Sequence, residues 1–158
     1  MTTTDSTQSV VDTDTFTVTR SIHIDAPAAK VWAAVTEPEH ISRWFGHTVL
    51  DGSGAGARGT MSFEGHGSIP LKVESVDPQR SVSYRWGNDD ALGAPPAELD
   101  EQASTVFTFT LEPVGGGTRL TVVETGFEVT SDPLGNLESH RTGWDSELDK
   151  LVALLESA

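Results

Sequence analysis

Residues able to carry chemistry are few in this chain, and their spacing excludes more than it supports. Five histidines, His23, His40, His47, His66 and His140, form no H-x-H or H-x-x-x-H pair, so no metal site is expected. Cysteine is absent, which removes disulfides, thiolate ligands and a thiol nucleophile. No G-x-S-x-G elbow supports a serine hydrolase triad. The run "GAGARG" at 54–59 has the spacing of a dinucleotide loop, but the strand-like "TMSFEG" follows it. A nucleotide site needs a helix N-terminus there to bind pyrophosphate, so that reading is rejected and no cofactor is expected.

Two polar side chains interrupt apolar patterns. His140 lies one turn before Trp144 on a helical apolar stripe. A neutral imidazole there would orient the polar end of a ligand, pack beside Trp144 or reach solvent. Arg20 falls on the apolar face of an alternating strand, and a buried guanidinium needs a partner. It pairs with a carboxylate such as Glu74 or Glu124, anchors an acidic ligand, or turns to solvent on a bulge. The remaining constellation is apolar: Trp44, Phe45, Met61, Phe63, Leu71, Tyr84, Trp86, Phe107, Phe109 and Trp144. Strand parity puts Met61 with Phe63, Tyr84 with Trp86, and Phe107 with Phe109. Most of this set is expected to be core.

The elements that must position these groups follow from periodicity. Positions 1–14 read as a disordered, acidic, Thr-rich tail, and 15–158 as a single domain. Alternation of Phe16, Val18, Ile22 and Ile24 against Thr17, Thr19, Ser21 and His23 predicts a half-buried first strand. Pro27 suits the first turn of a short helix, and Thr36 and Pro38 open a second one as N-cap and early helical residue. Strands are expected at 47–50, 58–64, 69–76, 81–86, 105–111 and 119–124, joined by short turns that imply antiparallel pairing. The segment 87–103 is a long Pro-containing loop with five acidic residues, of the kind that forms a lid or mouth. Leu137, Trp144, Leu148, Leu151, Val152 and Leu155 recur at helical spacing and predict one long helix over about 134–155. The fold class is therefore α+β, with about seven antiparallel strands curling around the terminal helix.

Charge narrows the partners. Twenty-four acidic residues against 10 basic give a net charge of −14, which repels phosphate backbones and anionic bilayers. No nucleic acid and no membrane partner is expected, and no apolar run is long enough to span a bilayer. The N-terminus lacks the basic and apolar parts of a secretion signal, so a cytoplasmic location is expected.

Four stretches together resemble a known superfamily: "IDAPAAKVWAAVTEPEHISRWFG", "VESVDPQRSVSYRW", "FTLEPVGGGTRLTVVETGF" and "TGWDSELDKLVALL". In order and spacing they are similar to the SRPBCC (START/Bet v 1-like) superfamily, in the branch named after the activator of Hsp90 ATPase, over roughly residues 15–156. The resemblance implies a helix-grip fold with a cavity between sheet and long helix, two short helices closing one end. It implies that Trp44, Phe45, Met61, Phe63, Leu71, Trp86, Phe107, Phe109, His140 and Trp144 contribute to a ligand cavity, with Arg20 a possible polar anchor. The function so implied is a non-catalytic module, monomer or homodimer, enclosing a lipid- or polyketide-like hydrophobic small molecule. The alternative is a polyketide cyclase or hydratase using His140, Arg20 and Glu64 or Glu124 in the same cavity. An Hsp90 co-chaperone role is a third reading. The resemblance implies that such co-chaperones carry a further N-terminal domain, where this chain has a short polar tail, so that role is not expected.

Overall fold

Strand alternation and one long amphipathic helix account for most of the architecture. A computed structural model describes residues 8–157. In chain order the elements are β1 (Val10–Asp12), β2 (Thr17–Ile24), α1 (Ala28–Thr36), α2 (Pro38–Ile41), β3 (His47–Asp51), β4 (Arg58–Phe63), β5 (Gly67–Asp77), β6 (Ser81–Trp86), β7 (Thr105–Val114), β8 (Gly117–Thr125) and α3 (Pro133–Glu156). The strands form a single curved sheet in the order β1-β2-β8-β7-β6-β5-β4-β3, with every neighbouring pair antiparallel.

Eight strands stand where about seven are expected, because Val10–Asp12 pairs with β2 inside the segment read as tail. Its anchor is not hydrophobic patterning: the Ser9 backbone N–H and hydroxyl both donate to Asp145 on α3, at 2.6 and 2.8 Å. The disorder expected for positions 1–7 concerns residues outside those described. A second correction concerns Thr36. Its hydroxyl donates back to the Trp32 carbonyl within α1, so Glu37 takes the N-cap position of α2 without a side-chain bond.

Strands β2, β6, β7 and β8 each bury one face. Val18, Ile22 and Ile24 of β2, Phe107, Phe109 and Leu111 of β7, and Leu120 and Val122 of β8 are all buried, and Phe107 and Phe109 meet Trp144 of α3. The helix answers with Leu137, Trp144, Leu148, Leu151 and Leu155 at three- and four-residue spacing. Burying each such side chain contributes roughly 1.5–3 kcal/mol relative to water exposure. A register shift between Val73 and Ser75 bends β5 against β6 and helps the sheet curl. At the far edge β3 crosses Gly59 so closely that a Cβ would lie 1.8 Å from the Val49 carbonyl oxygen. Only glycine fits there.

Candidate functional site

The polar centre of the molecule is Glu124, on the inward face of β8 and wholly inaccessible to solvent. Its two oxygens collect four donors from two neighbouring segments of the sheet and from α3. Trp86 Nε1 and the Thr105 hydroxyl reach Oε2 at 2.8 and 2.6 Å. Trp144 Nε1 and His140 Nδ1 reach Oε1, each at 2.8 Å. Burial by itself pushes the Glu124 carboxyl upward, but the His140 charge and the converging hydrogen bonds outweigh it and hold the group below its usual range.

His140 continues the network outward. Its Nε2 lies 3.0 Å from the Asn88 carbonyl oxygen and 3.5 Å from an Asp90 carboxylate oxygen. Both ring nitrogens thus face acceptors, so both carry protons and the ring is an imidazolium rather than the neutral imidazole considered from sequence. Burial lowers its affinity for the proton, but the charge and hydrogen bond of Glu124, then Asp90 and the Asn88 carbonyl, raise it above the ordinary value.

Above this network lies a cleft of about 300 Å³, at the small end of ligand-pocket sizes. Phe45, Phe63, Ile69, Trp86 and Trp144 give it an apolar base, and His66, Asn88, Asp90, Ser139, His140 and Glu147 supply polar groups. The rings form one cluster: Phe45 lies 5.4 Å from Trp144 and 5.7 Å from Trp86 between centroids, and Phe63 lies 5.5 Å from Phe45. Gly93, Ala94 and Pro95 of the 87–103 loop complete the wall.

That loop is fastened at both ends. Asp89 accepts from the Ser131 N–H at 2.8 Å and from Asn136 Nδ2 at 2.9 Å, and the Asp90 N–H donates to Asn136 Oδ1 at 3.0 Å. At the other end Glu101 accepts from Lys72 at 3.0 Å. The acidic residues of the loop are therefore partly ties to α3 and to the sheet.

Of the ten residues the sequence associates with a cavity, Phe45, Phe63, Trp86, His140 and Trp144 border this cleft. Trp44, Met61, Leu71, Phe107 and Phe109 do not; they are buried in the packed core. The Trp44 indole instead donates to the Ala34 carbonyl at 2.9 Å, so of the Trp44-Phe45 pair one ring secures α1 and the other meets the cleft. Arg20 is also elsewhere. Its Nη2 contacts Asp149 at 2.8 Å, its Nη1 donates to the Asp145 carbonyl at 2.9 Å, and neither Glu74 nor Glu124 is its partner. The ligand-anchor reading of Arg20 is corrected for the same reason: its charge is used to hold α3 against β2. Sequence reasoning did not find Thr105, Asn88, Asp90, Ser139 or Glu147. Glu124 is named from sequence as a partner for Arg20 or a group of the cyclase reading, and its parity with Leu120 and Val122 places an acid on the inward face.

Among the described residues no three His, Asp or Glu side chains gather closely enough to hold a metal ion. No helix among them is long and apolar enough to cross a membrane.

The fold and the cleft define a helix-grip protein of the SRPBCC type. Within that class, the family model described as activator of Hsp90 ATPase homolog 1-like protein matches residues 25–156, and the chain belongs to that family. Protein MLL2253 from Mesorhizobium loti is 29% identical, with a TM-score of 0.73, covering 90% of this chain and 98% of that one. DynU16, a protein of the dynemicin biosynthetic locus, is 26% identical with a TM-score of 0.70; the match covers 89% of this chain and 47% of DynU16. The Aha1 dimer from Colwellia psychrerythraea shares the fold at 22% identity and a TM-score of 0.67, covering 89% and 96%. No functionally curated protein matches the sequence.

Proposed function

We propose that the chain is a binding module that takes a small apolar or aromatic molecule into the cleft between the 87–103 loop and α3. The observation that carries this reading is the base of the cleft, where Trp86 and Trp144 are held by a single buried carboxylate through their indole N–H groups. Both rings are thereby fixed before any ligand arrives, which reduces the ordering cost of binding. The likeness to a protein of a biosynthetic locus also agrees with a small-molecule ligand.

Ligand-observed NMR and native mass spectrometry against a panel of lipids, polyketides and simple aromatics test it. Binding that Phe45→Ala weakens is the expected result; an empty panel together with unchanged indole fluorescence would overturn it. The cyclase or hydratase reading draws less support. Among Arg20, Glu64, Glu124 and His140, only His140 borders the cleft, and the oxygens of Glu124 are already occupied. For the Hsp90 reading, a pull-down and an Hsp90 ATPase assay are expected to give no effect.

A further inference from the structure

Resting on the binding role just proposed, the charge of the cleft wall narrows the ligand. Against the carboxylates of Asp89, Asp90, Glu124 and Glu147 stand two cations. His140 is committed to Glu124 at 2.8 Å, and Lys150, which does not line the cleft, contacts Glu147 at 2.9 Å. Asp89 is satisfied by neutral donors, the Ser131 N–H and hydroxyl and the Asn136 amide, which leave its charge in place. Asp90 accepts from the Ser139 hydroxyl and keeps a side chain 44% exposed at the rim. Among the described residues no lysine or arginine lines the cleft. Counted without His66, the wall and its partners carry a net formal charge of about −2, above a base of four aromatic rings.

We infer that the cleft selects a flat apolar molecule bearing a protonated amine, and discriminates against carboxylic acids of the same shape. Two effects act in the same direction. The aromatic faces attract a cation through their ring quadrupoles, and the rim carboxylates attract it through direct charge. A carboxylate ligand would have to enter a negative, partly desolvated cleft that no lysine or arginine lines, so fatty acids are disfavoured even though their chains suit an apolar base. The long-range field of a −14 protein adds to the same preference on approach.

Three compounds with one ring system separate the possibilities: naphthylethylamine, naphthylethanol and naphthylacetate, titrated into the full chain by calorimetry and saturation-transfer NMR. The amine is expected to bind about tenfold more tightly than the acid, with the alcohol between them. In the double variant Asp90→Asn with Glu147→Gln, that preference should fall to about twofold. Circular dichroism establishes that the isosteric amides preserve the fold. Equal or tighter binding of the acid overturns the inference, as does a preference unchanged in the double variant. In either case, binding of the alcohol leaves the binding role standing. If none of the three binds, the binding role falls together with the inference.

Discussion

Replacing Glu124 by glutamine keeps the shape of the side chain and removes the charge on which four donors converge. The His140 imidazolium then loses its nearest counter-ion and keeps only Asp90 at 3.5 Å, and breaking a buried pair costs up to about 3–5 kcal/mol. Urea denaturation of Glu124→Gln should show a loss of that order, and the indole emission of Trp86 and Trp144 should shift. The pair also makes stability pH-dependent. Glu124 is depressed below its ordinary 4.5, so its contribution is present above that value and fades as pH falls through the lowered one. His140 is raised above its ordinary 6.5, so its contribution is complete below 6.5 and fades as pH rises through the raised value. Both are fully present between 4.5 and 6.5. Wild-type stability should therefore decline on the alkaline side, and His140→Gln should abolish that slope. An NMR titration in which His140 deprotonates at or below the ordinary value would contradict the geometry.

At the scale of elements, the join between β2 and α3 depends on one buried charge. Arg20 is 5% exposed, and its guanidinium contacts Asp149 and the carbonyl of Asp145. Arg20→Ala should cost about 2 kcal/mol in chemical denaturation, less than a fully buried pair because Asp149 regains solvent easily. Gly143 is the opposite case. It sits inside α3, and a Cβ added there would meet nothing within 4 Å. Gly143→Ala should therefore stabilise the helix by about 0.5–1 kcal/mol, read as a higher midpoint. The elements themselves were largely legible. Alternation located β2 and β6, and the Leu137 to Leu155 stripe located α3, because periodicity reports directly which face is buried. β1 was illegible: three residues in a Thr- and Asp-rich stretch carry no periodic signal, and their pairing depends on Ser9 meeting a helix residue 136 positions away.

For the whole molecule, the excess of 14 negative charges should make stability depend on salt. Raising ionic strength to about 0.15 M shortens the screening length to about 8 Å and relieves the mutual repulsion of the acidic surface. The thermal midpoint in sodium chloride should rise over that range; a fall would mean that the surface ion pairs outweigh the repulsion. By itself the sequence determined the α+β class, the antiparallel pairing, the wrapping helix and the identity of the apolar set. Those follow from the period of burial along each element and from motifs kept in order. Which of those apolar residues meet open space was decided only in three dimensions. Phe107 and Phe45 are both inward-facing aromatics, yet one lies in a filled core and the other beside the cleft. The difference is set by where the 87–103 loop crosses α3, and that crossing is fixed by contacts between residues far apart in the chain. The same holds for Glu124: parity turned it inward, but only the packed structure brought two indoles, a hydroxyl and an imidazolium to its oxygens.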